Sequence, residues 1–245
     1  MCDVWAKIEG GRVSHPQRIA VTGLNGQLAQ ALLMLSKTGA DIFALSRPEV
    51  DITNWASTRD AIARARPHVI VHAAAATNVD KCEQDPKLAF EVNALGTRHV
   101  AQAAQRVGAV LVYVSTNYVF NGASVNPYHE WDVTAPINVY GASKLAGEHE
   151  ALGGTRRCFI ARTAMLYSNT GSNFMLTMRR LMTERDEVRV VADQYGNPTD
   201  AGDLADSILS MIDRAPYGVY HLVNEGTASW FDWACEIRAA TGAKC

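Results

Sequence analysis

The residues best suited to chemistry in this sequence are Tyr140 and Lys144, in the segment Tyr-Gly-Ala-Ser-Lys. Residues four positions apart share one face of a helix and can reach a common ligand. A phenol with its ordinary pKa of about 10 exchanges protons poorly at neutral pH, and a neighbouring ammonium favours the phenolate. The spacing therefore predicts a proton-donating tyrosine whose pKa is brought toward neutrality by the lysine.

A third reactive group is predicted where a β-branched run ends in hydroxyls, at Ser115 and Thr116. Thr116, with Ser115 as the alternative, is expected to bind a substrate carbonyl beside Tyr140. The alkoxide formed by hydride addition would then take the proton of Tyr140. The Tyr-x-x-x-Lys spacing alone also occurs as a surface pair, so the prediction depends on the motifs that precede it.

A glycine loop precedes these residues, in the segment Thr-Gly-Leu-Asn-Gly-Gln-Leu-Ala that follows a β-branched run from Arg18. Gly23 would permit a sharp turn, and Gly26 would let the backbone approach a phosphate at the start of a helix. This strand, turn and helix order predicts a site for a dinucleotide pyrophosphate. The expected contacts are Gly23, Asn25, Gly26, Gln27 and Leu28.

The choice between NAD and NADP should be made at the end of the second predicted strand, at Ser46 and Arg47. A carboxylate there would bind the ribose hydroxyls of NAD, whereas serine and arginine suit the 2′-phosphate of NADP. The residues favour NADP and leave NAD open. Arg47 as a solvated loop charge is the alternative interpretation.

The elements that position these groups follow from an alternation of β-branched runs with Ala- and Leu-rich stretches, which is typical of a parallel sheet covered on both faces. Strands are predicted at 18–22, 41–45, 69–72, 110–115 and 158–161, and helices at 26–38, 55–64, 86–106 and 140–152. The predicted fold is therefore α/β, a Rossmann-type doubly wound parallel sheet with a small C-terminal substrate-binding lobe. Its ligands would bind at the carboxyl ends of the strands.

The domain prediction has three parts: an N-terminal tail over 1–17, an NAD(P)-binding Rossmann domain over 18–167, and the substrate-binding lobe over 168–245. The lobe is predicted to contain helices at 174–183, 203–214 and 230–240, with strands at 188–191 and 219–223. These elements are too short for a large independent core, so the lobe is expected to pack on, or interleave with, the Rossmann domain.

The composition excludes several classes of partner. A net charge of −2 over 245 residues, with both signs intermixed, offers no patch for nucleic acid or an anionic membrane. The five scattered cysteines are expected to be reduced thiols, and no metal site is assigned. The first residues carry no long apolar run, so a cytoplasmic location is expected.

Together these motifs resemble the extended short-chain dehydrogenases, and among them the dTDP-4-dehydrorhamnose reductase family, over residues 18–242. The resemblance includes the Gln-Leu after the glycine loop, Asp51-Ile52-Thr53, an Ala-rich loop, and Ser-Thr-x-Tyr-Val-Phe before Tyr140. It implies NAD(P)H-dependent reduction of a 4-keto-6-deoxy nucleotide sugar, and homodimers as in some relatives. Members usually extend some tens of residues beyond the position of Cys245, so a truncated lobe is also considered.

The resemblance also implies a set of site residues. Those expected at the cofactor, besides the glycine loop and strand end, are Asp51, Ile52, Ala73, Ala74, Ala75, Asn93, Ser115, Tyr140, Lys144 and Arg162. Those expected at the substrate are Val79, Asp80, Thr116, Asn117, Tyr118, Met165, Gln194 and Pro198.

Two departures from the family pattern bear on the substrate: Asn117 stands where the family has aspartate, and Met165 where it has tryptophan. Two alternatives stay open, a nucleotide-sugar epimerase and a non-catalytic NADP-binding regulatory subunit like that of methionine adenosyltransferase. The complete set of Thr116, Tyr140 and Lys144 favours catalysis, since a regulatory protein has no need to keep it.

Overall fold

The computed structural model describes residues 17–35, 41–47, 49–243 and 245. Its strands are β1 Arg18–Thr22, β2 Asp41–Leu45, β3 Val69–His72, β4 Val110–Thr116, β5 Cys158–Thr163, β6 Leu166–Tyr167, β7 Tyr195–Gly196, β8 Thr199–Asp200, β9 Gly218–His221 and β10 Ala228–Ser229. Its helices are α1 Gln27–Leu35, α2 Trp55–Ala65, α3 Val79–Gln84, α4 Pro86–Phe90, α5 Gly96–Val107, α6 Val139–Gly154, α7 Phe174–Glu184, α8 Ala201–Arg214 and α9 Trp230–Thr241.

The main sheet has six parallel strands in the order β2-β1-β3-β4-β5-β9. One face is covered by α2, α5 and α6, whose apolar residues pack on Ile70, Leu111 and Ile160. The other face is covered by α1 and α8, through side chains such as Leu32 and Ile208. The predicted doubly wound Rossmann-type sheet is confirmed, and the carboxyl ends of all six strands lie at one edge.

The last part of the chain contributes to two different cores. Helix α8 and strand β9 belong to the main sheet, whereas α7 and α9 enclose a smaller cluster around Met178, Met182 and Trp233. Two short sheets, β10 with β7 and β6 with β8, surround this cluster. The predicted tail over 1–17 falls outside the described residues, except for Gln17.

Three predicted elements differ from the structure. The strand predicted at 188–191 is wrong: the segment has no ladder partner, and Val188 and Val190 instead pack their side chains on the cluster around Trp233. The helix predicted at 86–106 is divided into α4 and α5 by a wider, π-helical turn at Glu91–Leu95. Helix α3 was not predicted, and the end of the helix predicted at 26–38 lies partly outside the described residues.

Within the described part of the chain, no helix is both long and apolar enough to cross a bilayer.

Candidate active site

Tyr140 and Thr116 lie near one another at the carboxyl edge of the sheet. Helix α6 begins at Val139 because the side chain of Asn138 accepts a hydrogen bond from the Gly141 N–H at 2.7 Å. Tyr140 lies in the first turn, near enough to the Thr116 hydroxyl at the end of β4 for that hydroxyl to lower the pKa of its phenol. Two hydroxyls thus lie near one another, as the predicted carbonyl chemistry would require.

The pKa values of Tyr140 and Lys144 are set mainly by burial. Burial raises the pKa of Tyr140 to about 12, although its hydrogen bond with Thr116 acts in the opposite direction. Burial lowers the pKa of Lys144 to about 7, against the charge of Glu148. The pKa of Tyr140 thus moves away from neutrality, opposite to the direction predicted from the Tyr-x-x-x-Lys spacing. At neutral pH the phenol holds its proton.

Lys144 is held from two sides inside the protein. Its Nζ donates to the carbonyl oxygen of Val114 at 2.6 Å and lies 4.0 Å from the ring centroid of Tyr113. The Tyr113 hydroxyl donates to the backbone carbonyl of Lys144 at 3.2 Å. Tyr113 was not predicted from the sequence. The available signal was Gly147, three residues after the lysine, because a Cβ on Gly147 would overlap the Tyr113 hydroxyl.

Asn93 ties the Ala-rich loop to the catalytic helix. Its amide nitrogen donates to the Ser143 hydroxyl at 2.9 Å and to the Ala76 carbonyl at 3.0 Å, and its amide oxygen accepts from the Ala76 N–H at 2.8 Å. Asn93 lies in the π-helical turn and is buried. The wider turn thus places a residue that braces α6 from beneath.

The glycine loop leaves no room for side chains where β1 meets the loop after β3. Gly23 has φ +84, and a Cβ there would fall 2.9 Å from the nitrogen and the α-carbon of Ala74. The Gly26 N–H donates to the Gly23 carbonyl at 2.8 Å and closes the turn before α1. Bare backbone followed by a helix N-terminus is what a dinucleotide pyrophosphate requires. The structure brings Ala73 and Ala74 beside this turn, and Ala75 follows them in the chain.

The other residues predicted on the glycine loop have different surroundings. Asn25 is exposed, and Leu28 is buried in the core beneath α1. The Gln27 side chain accepts hydrogen bonds from the Ser168 hydroxyl at 3.0 Å and from the Asn173 amide at 2.8 Å. Gln27 therefore connects the glycine loop to the segment that begins α7.

At the end of β2, Ser46 is bonded to a residue that sequence analysis missed. Its N–H and hydroxyl both donate to a carboxylate oxygen of Glu49, at 2.8 and 2.6 Å, whereas Arg47 is exposed. Next to this turn, Asp51 accepts from the N–H and hydroxyl of Thr53, and Ile52 is buried against Gly96.

Ser115 and Arg162 are placed away from the glycine loop, in a buried ionic cluster with Glu148. Two guanidinium nitrogens of Arg162 donate to the two carboxylate oxygens of Glu148, at 2.7 and 2.9 Å, and the Ser115 hydroxyl donates to one of these oxygens at 2.5 Å. All three side chains are buried. Glu148 lies one helical turn after Lys144, and this spacing was the available signal.

The residues predicted at the substrate fall into two groups. Asn117 and Tyr118 adjoin the catalytic pair: the Asn117 side chain accepts from the Thr116 hydroxyl at 3.3 Å, and the Tyr118 ring meets that of Tyr140 edge-on at 5.6 Å. Met165, with φ 45, abuts Gly196 in the segment that contains Gln194 and Pro198. Val79 and Asp80 begin α3.

This chain is similar to known proteins in both sequence and structure. The family model described as the RmlD substrate binding domain matches residues 17–245. The chain belongs to this family. The RmlD family resemblance drawn from the motifs is thereby confirmed.

Individual RmlD relatives agree. A dTDP-4-dehydrorhamnose reductase of Streptomyces griseus is 44% identical over 235 residues, which cover 92% of this chain and 77% of the relative. The spore coat polysaccharide biosynthesis protein SpsK of Bacillus subtilis is 37% identical and covers 92% of this chain and 80% of its own length. The crystal structure of dTDP-4-dehydrorhamnose reductase from Bacillus anthracis, in complex with NADP, superposes with a TM-score of 0.90 at 44% identity, covering 94% of this chain and 83% of that one.

Proposed function

We propose that this protein is an NAD(P)H-dependent oxidoreductase that reduces the 4-keto group of dTDP-4-dehydrorhamnose or a closely related 4-keto-6-deoxy nucleotide sugar. The observation that carries the proposal is the proximity of Tyr140 to Thr116, with the buried Lys144 on the same helix, at the sheet edge that also holds the glycine loop. The relatives named dTDP-4-dehydrorhamnose reductase support the substrate class.

The cofactor fits the glycine loop, because Gly23 and Gly26 present bare backbone at the N-terminus of α1. We assign its pyrophosphate to these residues and to the N–H groups that begin α1. When bound, the nicotinamide cofactor supplies the hydride. Ala73 and Ala74, which pack against Gly23, are assigned to the adenosine side together with the next residue, Ala75.

In the proposed reaction the chain's own residues position the carbonyl and move one proton. The Thr116 hydroxyl, which now donates to Asn117, turns to donate to the substrate carbonyl oxygen. Tyr140, protonated at neutral pH, gives its proton to the oxygen that becomes the alcohol. Lys144, whose pKa of about 7 allows both charge states, adjusts the field at the phenol.

The substrate-side residues are assigned by their place around this pair. Asn117 and Tyr118 border Thr116 and Tyr140, and Met165 abuts Gly196 in the segment that contains Gln194 and Pro198. The neutral amide at 117 removes a charge that the family pattern has, and the thioether at 165 is more adaptable than a tryptophan. Ser115 and Arg162 are reassigned to positioning, since both are bonded to buried Glu148.

The test is a screen of NADPH and NADH oxidation against a panel of 4-keto-6-deoxy nucleotide sugars, with products analysed by mass spectrometry. Reduction adds two hydrogens to the sugar and consumes one cofactor. An epimerase would change the sugar without a change in mass or net cofactor oxidation. Stoichiometric NADP binding without turnover on any member of the panel would instead favour the regulatory-subunit alternative.

A homodimer and a cytoplasmic location stay predictions, the first from the family resemblance and the second from composition. Light scattering coupled to gel filtration measures the oligomeric state directly. A monomer at the concentration used for turnover would remove the homodimer from the proposal.

A further inference from the structure

In the turn after β2, the Ser46 groups that could bind an anion are already hydrogen-bonded within the turn. The carbonyl of Ser46 accepts the N–H groups of Glu49 and Val50, both at 2.9 Å. In return, the N–H and hydroxyl of Ser46 donate to the Glu49 carboxylate. Val50 is buried and anchors the turn, whereas the Glu49 side chain lies at the surface. A carboxylate therefore occupies both donors that Ser46 offers.

This turn lies beside the glycine loop. Strands β1 and β2 are parallel neighbours with Thr22 opposite Leu45, so Gly23 and Ser46 follow adjacent strand ends. In sheets of this kind the adenosine ribose of a dinucleotide lies at the end of the second strand, where its 2′ substituent meets the protein. The turn of Ser46 thus lies at the strand end where the choice between NAD and NADP is made.

The charge of Glu49 is secure at neutral pH. Hydrogen bonds from the hydroxyl and then the N–H of Ser46 hold the pKa of its carboxyl below the ordinary value. The nearest cation in the turn is Arg47, whose side chain is exposed. An incoming 2′-phosphate would meet a like charge on the very groups it needs, whereas a 2′-hydroxyl can donate to the same carboxylate.

Resting on the proposed NAD(P)H-dependent function, we infer that Glu49 is a specificity-determining residue that holds the place of the 2′-phosphate with its own carboxylate. NAD binds with Glu49 in place, and its ribose 2′-hydroxyl donates to the carboxylate. NADP binds only after Glu49 has left Ser46, and Arg47 then pairs with the phosphate. The chain thus accepts both cofactors, and Glu49 weakens its affinity for NADP.

The test is direct binding of NADP⁺ and NAD⁺ to the full chain by isothermal titration calorimetry, with Glu49→Gln and Glu49→Ala. Both variants should raise the affinity for NADP⁺ relative to NAD⁺ by roughly fivefold, the worth of one or two exposed hydrogen bonds. Ser46→Ala, which removes a phosphate donor, should shift the same ratio the other way. Glu236→Gln is the matched control, since it removes an equal, exposed charge on α9.

An unchanged ratio in both Glu49 variants, or the same shift in Glu236→Gln, would overturn the inference. Loss of both nucleotides from variants that remain folded by circular dichroism would also overturn it, because Glu49 would then shape the loop rather than select the cofactor. Turnover on the sugar panel is scored separately. If the wild type turns over a sugar but the Glu49 variants leave the affinity ratio unchanged, this inference alone is refuted. If the affinity ratio shifts as expected but no sugar is turned over, the proposed reaction alone is refuted.

Discussion

Lys144 is a basic side chain buried between β4 and α6, where its ammonium meets the Val114 carbonyl and the face of Tyr113. Its pKa falls from 10.5 in the unfolded chain to about 7 in the folded protein. Between those values the unfolded state binds more protons, so the contribution of this residue to stability rises with pH across that window. Below pH 7 the folded protein carries the full penalty of a buried charge.

Replacing this amine should therefore make the protein more stable. Lys144→Met is expected to increase the free energy of unfolding by about 1–4 kcal/mol at pH 7 and by clearly less at pH 10, where the folded amine is already neutral and the pH lies close to its unfolded pKa of 10.5, so that losing the proton costs little. Urea denaturation at the two pH values measures the difference. Lys87→Met, at an exposed position on α4, is the control and should show no such pH dependence. An equal gain at both pH values would contradict the burial argument.

Tyr140 has a separable role as the proton donor. Tyr140→Phe keeps the ring that contacts Tyr118 and removes only the hydroxyl that bonds Thr116. Turnover should fall by roughly 10²–10⁴-fold, the usual contribution of a positioned acid, with cofactor affinity near that of the wild type. Stopped-flow hydride transfer and calorimetric titration measure the two quantities. Turnover within a few fold of the wild type would exclude this residue as the donor.

At this scale the sequence predicted the reactive groups better than their surroundings. Thr116 and Tyr140 could be paired because a strand end and a helix start are local features that meet at one sheet edge. The direction in which the pKa of Tyr140 shifts could not be predicted, since it depends on burial by segments distant in the sequence. Glu49 was missed because a carboxylate four residues past the strand end reaches Ser46 only once its turn has folded back.

Helix α6 contains glycines that have opposite packing requirements. A Cβ on Gly147 would overlap the hydroxyl of Tyr113 and the carbonyl of Asn93, whereas a Cβ on Gly153 would meet nothing within 4 Å. The first glycine is needed for close packing beneath the catalytic lysine. The second has only the entropy cost that glycine brings to any helix.

These two positions give a matched pair of substitutions. Gly147→Ala is expected to destabilise the protein by about 1–3 kcal/mol through overpacking. Gly153→Ala should stabilise it by about 0.5–1 kcal/mol through helix propensity. Thermal unfolding compares both with the wild type. Similar shifts of the same sign would show that helix propensity, and not the contact with Tyr113, decides the outcome.

Among the elements, sequence patterns predicted the buried parallel strands closely and the irregular features poorly. Strands β1, β2 and β3 match their predicted bounds because continuous apolar runs between turn residues have few other solutions. The π-helical turn at Glu91–Leu95 leaves no such pattern, since it adds one residue within an amphipathic helix. The segment 188–191 has the composition of a strand but no partner, and strand formation requires one.

The whole molecule is built so that its two halves share one sheet. Strand β9 pairs with β5, and α8 covers the sheet beside α1 with Leu204, Ile208 and Met211. Removing residues after 167 would expose one face of β4 and β5 and the apolar side of α1. The boundary between a Rossmann domain and a lobe at residue 167 stays a prediction, and we do not expect the part before it to fold independently.

Two fragments of the chain should differ in how they unfold. A chain of residues 1–167 should lack a cooperative thermal transition and should bind a hydrophobic dye, because one layer of its core is missing. A chain of residues 1–224, which keeps α8 and β9, should melt cooperatively. Circular dichroism and dye fluorescence distinguish the two. A sharp transition in the shorter fragment would show that α8 and β9 are not needed for cooperative folding.

The strand order also has a consequence for synthesis. A ribosome releases β5 well before β9, because the whole of α7 and α8 lies between them. At ordinary elongation rates of about 5–20 residues per second, the outer edge of β5 stays unpaired for several seconds on every nascent chain. Unpaired edges invite pairing with another chain, so slow codons between these strands should raise the aggregated fraction, and chaperones that bind nascent chains should lower it.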